Sequence, residues 1–229
     1  MKIPIFKIRC SAISQIMTNP KNKTDLVSQT AATYLKKWLN RTLMNKQKEI
    51  RTKQMVKGIL MEQDGLDLIA KQLNIALLLK NEKFYENDFL IGTPDVLQKD
   101  IVIDNKCSWS SDTFPLFETI PDKGNVLQLQ GYMALTGKKK AKLIYTLVDC
   151  PVHLIERETR YYCNDYGYEF TEEIYNKFVK NMTFSDVPDK YKYKCFDIER
   201  NDEVIKEIQE RVIECRKYIE NLIAINSLN

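Results

Sequence analysis

The sequence predicts a single mixed α/β domain over residues 1–229, with a mixed central β-sheet flanked by helices. Three observations carry this. Short extended runs crowd into 82–107, a continuous apolar-rich run at 141–148 has the pattern of a buried strand, and helical periodicity marks both ends of the chain. The expected organisation is a basic helical part (1–75), a catalytic sheet with its helices (80–150), and a C-terminal strand and helix (190–226). No repeat, low-complexity segment or linker divides them.

In chain order, Ser11-Ala12-Ile13-Ser14-Gln15-Ile16-Met17 predicts a short capped helix ended by Asn19-Pro20. Val27, Ala31, Leu35, Trp38 and Leu39 recur at helical spacing and predict a helix over 24–45. A second, over 52–73, follows from Met55, Ile59, Leu66, Ile69 and Leu73. Strands are expected at 83–86, 89–92 and 100–106, and a loop with Pro115 and Pro121 over 110–124. Asn125 is the expected cap of a helix to about 135 that Gly137 ends. A helix at 171–182, an extended run at 191–198 and a helix at 202–225 complete the chain. The last carries the stripe Ile205, Ile208, Val212, Cys215, Ile219 and Leu222, expected to pack on its own domain.

Composition bounds the function. The chain carries 44% hydrophobic and 29% charged residues, as ordinary globular proteins do. No apolar run approaches the ~18–20 residues of a membrane span. The start, Met1-Lys2-Ile3-Pro4-Ile5-Phe6, is too soon interrupted by Lys7 and Arg9 for a signal peptide, so a cytoplasmic location is expected. Cys10, Cys107, Cys150, Cys163, Cys195 and Cys215 form no Cys-x-x-Cys pair and His153 stands alone, so neither zinc nor an iron–sulfur cluster is expected. Charge is unevenly spread. Through Leu60 there are 13 Lys and Arg against 2 Asp and Glu, a balance of +11, while the remaining residues carry 22 against 29, a balance of −7. A polyanion on the basic side is the implied partner.

The densest chemistry lies at Gly92-Thr93-Pro94-Asp95-Val96 and Ile103-Asp104-Asn105-Lys106. Side chains alternate faces along a strand, so Asp104 and Lys106 project together, and a hairpin brings Asp95 beside Asp104. Two carboxylates suit Mg2+ or Mn2+, with the Asn105 backbone carbonyl as a further oxygen. Such a cation acidifies water and neutralises phosphate charge, and Lys106 orients the nucleophile or stabilises the charge that develops. Glu62 interrupts the apolar stripe of helix 52–73, and a cation is the partner a core-facing carboxylate needs. Gln128 and Tyr132 share a helix face, whereas Gln130 lies about 200° round from Gln128 and takes a surface or packing role. Lys138, Lys139 and Lys140 follow Gly137 in a turn and, with Tyr132, are candidates for DNA contact.

Pro94-Asp95, Asp104-x-Lys106 and Gln128-x-x-x-Tyr132 resemble, in order, the motifs of the PD-(D/E)xK nuclease superfamily with its RecB-type Gln-x-x-x-Tyr. Within it the chain is similar to the lambda-exonuclease-type viral recombinases, over roughly 8–220. That resemblance implies a restriction-endonuclease-like core and a Mg2+-dependent exonuclease acting 5′→3′ on linear double-stranded DNA in recombination or repair. It implies that Asp95, Asp104 and the Asn105 carbonyl bind metal, and that Lys106, Glu62 and Gln128 complete the site. It also implies that Ser11 lies near a terminal 5′ phosphate, with Arg9 standing in for an arginine the group carries further upstream. A ring-shaped trimer around DNA, a single-strand-annealing partner and a bacterial host cell are further implications. Two competing readings remain: a RecB-type endonuclease with no end requirement, and a catalytically inactive DNA-binding protein.

Overall fold

Extended segments of this chain fall into two sheets, because the chain changes sheets at Thr93-Pro94-Asp95. The computed structural model describes residues 3–22, 24–46 and 52–226, so the termini of the expected domain lie outside them. Strands β1 (Ile8–Arg9), β2 (Tyr85–Glu86) and β3 (Leu90–Gly92) form a small sheet in the order β1-β3-β2. Strands β4 (Val96–Leu97), β5 (Ile101–Cys107), β6 (Lys140–Thr146) and β7 (Tyr193–Glu199) form the larger one in that order. β5 and β6 run parallel, whereas β4 and β7 pair antiparallel at the edges. The expected mixed central sheet flanked by helices is present as β4-β5-β6-β7, with the small sheet beside it; the one difference is that β3 does not pair with β5, and the two-residue β4 makes the hairpin instead.

The helices are α1 (Ile13–Ile16), α2 (Gln29–Met44), α3 (Lys53–Leu60), α4 (Glu62–Gln72), α5 (Lys123–Thr136), α6 (Val152–Tyr166), α7 (Glu172–Met182) and α8 (Asp202–Ile225). α2 begins later than the periodicity suggests, because the Ser28 hydroxyl accepts from Ala31 N–H at 3.1 Å and fixes the first turn there. α5 starts at the Asp122 cap and ends at Gly137, whose φ of 72° satisfies a left-handed C-terminus. α6 has no clear signature in the sequence. Its buried stripe is Leu154, Ile155, Thr159 and Cys163, where a hydroxyl and a thiol replace two apolar residues. α8 buries Ile208, Val212, Cys215 and Ile219 in the same core as α2 and α5, and Ile205 is buried at its start.

The expected helix 52–73 is two helices, broken at Met61 (φ −103°, ψ 16°). Met55 and Ile59, read as core, are 50% and 59% exposed, and the side chain that α3 buries is Lys57. Its ammonium donates to the carbonyls of Ser108 (2.8 Å) and Trp109 (3.1 Å), just beyond β5. The break lets α3 turn Lys57 inward while α4 turns Leu66 and Ile69 against the sheet.

β5, α5 and β6 form a crossover unit whose central strands are covered on both faces. Val102, Asp104 and Lys106 face α5; Ile103, Asn105 and Cys107 face α4. α4 comes close because residue 65 has no side chain. A Cβ there would stand 2.3 Å from Asn105 Nδ2 and 3.0 Å from Thr146 Oγ1. Alanine would gain about 1 kcal/mol of helix propensity, but overpacking costs roughly 1–3 kcal/mol. Gly65→Ala is therefore expected to lower the melting temperature by a few degrees; a rise would show that α4 can shift freely.

Candidate active site

Asp104 lies mid-β5, fully buried, opposite Leu143 of β6. Its Oδ1 accepts from Gln128 Nε2 at 3.0 Å. Its Oδ2 stands 2.8 Å from Lys106 Nζ yet receives no hydrogen bond of good geometry. Lys106 also donates to Gln128 Oε1 at 3.2 Å, and Gln128 Nε2 donates to the Tyr132 hydroxyl at 3.0 Å. One glutamine thus fixes both members of the Asp-x-Lys pair from across the crossover. Burial works against the charge on Lys106, but the touching Asp104 carboxylate outweighs it and holds the ammonium protonated.

Asp95 is held by β4. The register places Val96 opposite Ile103, so Asp95 falls beside Asp104, and its Oδ2 accepts from Asn105 N–H at 2.9 Å. A residue's N–H and C=O point to the same edge of an extended strand, so the Asn105 carbonyl faces this edge too. Its cross-strand neighbour in the continued register is Pro94, which has no N–H to give. The Pro-Asp dipeptide therefore does two things: the proline leaves a carbonyl unclaimed, and the aspartate takes the neighbouring amide.

Burial pushes the Asp95 carboxyl up to about 7, and the Asp104 carboxylate beside it adds to the rise. An unfolded aspartate titrates near ~3.9, so between about 4 and about 7 the folded chain keeps a proton that the unfolded chain has lost. Stability of the metal-free protein should therefore fall as pH rises through that window and level off above it. Melting curves in EDTA check this: Asp95→Asn should flatten the pH dependence, and an unchanged slope would place the proton elsewhere.

The remaining expected residues lie apart from one another. Glu62 does not face the core from an apolar stripe, because the break at Met61 places it on the first turn of α4. There it meets a cation that the sequence did not suggest, Lys80 Nζ at 2.6 Å, while its charge still reaches Asp95. Tyr132, a candidate DNA contact, is 5% exposed and packs against Gly92, which removes it from any DNA-facing surface. Lys138, Lys139 and Lys140 lie at the far end of the sheet, where Lys140 pairs with Ile101. That is three residues, about 10 Å, from Asp104, and Lys138 donates to the Lys99 carbonyl, so this structure does not bring them to the site.

Arg9 and Ser11 are exposed on either side of buried Cys10, which packs between Gly92 and Gly131. Gln130 donates to the Glu199 carbonyl and accepts from Asn201 N–H, both at 2.8 Å, a packing role on the face away from Gln128. Lys57 and Gly65 carried no signal: a lysine reads as solvated and a helical glycine as tolerated until the neighbouring strand is in place.

Among the described residues no three Asp, Glu, His or Cys side chains converge on one point. The donors at hand are two carboxylates, with Asp104 Oδ2 receiving no hydrogen bond, and a backbone carbonyl directed to their edge. All are hard oxygens, the set a Mg2+-like cation takes when water and phosphate complete its shell.

No family model and no curated protein sequence matches the chain. Among solved structures it is similar to a phage-related exonuclease from Haemophilus somnus 129PT, with 26% identity over 96% of each chain and a TM-score of 0.80. An alkaline exonuclease from Laribacter hongkongensis shares the fold at 18% identity, over 96% of this chain and 91% of that one, with a TM-score of 0.66. The same enzyme in complex with dAMP gives 19% identity, coverage of 96% and 93%, and a TM-score of 0.65. With Asp95 registered beside Asp104, Lys106 on the same face and Gln128 clasping the pair, the chain shares the fold of the phage-related exonuclease and carries a site arranged like that of the PD-(D/E)xK nucleases of the lambda-exonuclease-like kind.

Proposed function

We propose that this chain is a Mg2+-dependent deoxyribonuclease that degrades linear double-stranded DNA from its ends, in the 5′→3′ direction, in phage-type recombination or repair. The observation that carries the reading is the Asp95–Asp104–Lys106–Gln128 cluster at the edge where β4 begins. It is supported by the likeness to a phage-related exonuclease over 96% of the chain. No described helix is long and apolar enough to cross a membrane, and we place the protein in the cytoplasm of a bacterial host.

Asp95, Asp104 and the Asn105 carbonyl are the residues that would hold the cation, with Glu62 a third carboxylate at the rim. When bound, Mg2+ (or Mn2+) supplies positive charge to the phosphate and lowers the pKa of water. The protein's own work is placement. Lys106 has three donor hydrogens; the Asp104 contact and Gln128 engage two, and the third is available to a phosphate oxygen or the attacking water. The Asp104 carboxylate beside it raises the pKa of Lys106 in the metal-free chain, and the ammonium so held is a cation placed opposite developing negative charge. Gln128 sets its direction.

Incubation with linear duplex labelled at the 5′ or the 3′ end, with Mg2+ or with EDTA, tests the proposal. Release of 5′ label as mononucleotide, only with Mg2+ and only from linear DNA, is expected. Cutting of covalently closed circles would favour the endonuclease reading, and full activity in EDTA would remove the metal from the proposal.

A further inference from the structure

α2 presents two unlike faces. Ala31, Ala32, Leu35 and Leu39 are buried, while Lys36, Lys37, Asn40 and Arg41 are exposed. Between Asp25 and Glu49 the sequence has no acidic residue at all, so the exposed face carries cations with no carboxylate on its own helix. Alongside it, Gln15, Gln29, Thr30, Thr33, Tyr34 and Lys37 line an open cleft of about 320 Å³. Its walls are amides, hydroxyls, a phenol and an ammonium, with no aliphatic side chain. Burial raises the pKa of Tyr34, and the charges of Arg9 and Arg41 oppose that rise, which puts both guanidinium groups within electrostatic reach of it.

Arg9, within charge reach of Tyr34, connects this surface with the segment that carries Asp95. Arg9 pairs with Ile91 on β3, four residues before Asp95, and the next residue, Cys10, packs on Gly92. Donor groups and cations without carboxylates select an acceptor-only anion. An open cleft beside Lys36, Lys37 and Arg41, which are spread along α2, suits a repeating anion better than a small one. Exposed aromatic faces, which single strands use for base stacking, are absent from the cleft, where Tyr34 is half-buried. The contacts on offer are those to a backbone, which position a duplex without reading its sequence.

We propose that the cleft between α1 and α2, with Arg9, Lys37 and Arg41, is a phosphate track that seats the backbone of duplex DNA on its way to the Asp95–Asp104 site. The track rests on the deoxyribonuclease reading above and adds to it a binding surface away from the reacting bond.

Fluorescence anisotropy with a short labelled duplex in EDTA, over a range of salt, tests it. Each phosphate contact contributes roughly 0.9 to the slope of log affinity against log salt. Lys37→Glu/Arg41→Glu should therefore lower affinity at least ~10-fold and reduce the slope by about 2. Lys177→Glu/Lys180→Glu on α7, which makes the same change in net charge, should change the slope far less. Equal losses in the two variants, or a wild-type slope in Lys37→Glu/Arg41→Glu, overturns the track while leaving the nuclease reading intact. A wild-type protein that binds no duplex at low salt overturns the nuclease reading itself, and the track with it. Unchanged circular dichroism in both variants ties any loss to the surface charge.

Discussion

Lys106→Ala and Asp104→Ala should each lower cleavage of linear duplex by about 10²–10³-fold or more, while affinity for duplex in EDTA stays within a few-fold of wild type. Removal of one preorganised donor opposite a developing charge is worth that much in comparable sites. Here the two changes act on one unit, because Lys106, Asp104 and Gln128 are joined by contacts of 2.8–3.2 Å. The double variant should accordingly be little worse than either single one. Gln128→Ala should be milder, since it frees the pair without removing either charge. Rates from end-labelled DNA decide the matter, and wild-type-like cleavage by Lys106→Ala or Asp104→Ala would remove the mechanism.

Lys57→Ala is expected to destabilise the fold by about 2–4 kcal/mol, a drop in melting temperature of the order of 10 °C. Lys57 is fully buried, and burial lowers its pKa, so holding the ammonium there has a cost. That cost is met by two carbonyls, Ser108 and Trp109, and by the face of Phe184, 5.3 Å from Nζ. Alanine leaves both carbonyls without a donor, each worth about 1–3 kcal/mol, and opens a cavity. Lys57→Met keeps the volume and relieves the desolvated charge, so it should cost less. A methionine variant more stable than wild type would show that these carbonyls do not need the cation. Because Ser108 follows β5 directly, slower cleavage at unchanged duplex affinity would accompany the loss.

Much of the site was legible in the chain because its motifs are local. Alternation along one strand puts Asp104 and Lys106 on one face whatever surrounds them, and a two-residue strand suffices to bring Asp95 alongside. Gln128 was legible for a similar reason, since helical spacing separates its direction from that of Gln130. The helix 52–73 was misread because Met55 and Ile59 occupy core spacing yet face solvent, while a lysine takes the buried position. Tyr132 was misread because its phenol has a polar tip that suits a surface, and only the packing against Gly92 and the bond to Gln128 show it buried. α6 escaped because a stripe containing Thr159 and Cys163 lacks hydrophobic contrast.

The sequence by itself determined the chemistry of Pro94-Asp95 and Asp104-Asn105-Lys106: which oxygens and which ammonium are available, and which of them share a face. Those properties follow from strand alternation and from a proline's missing N–H, neither of which depends on distant residues. The tertiary structure alone decided which partners those groups meet. Lys80 holds Glu62, Gln128 clasps the Asp-x-Lys pair, Lys57 holds the end of β5, and Gly65 lets α4 against its back. Each of these joins segments far apart in the chain, so no local periodicity encodes it.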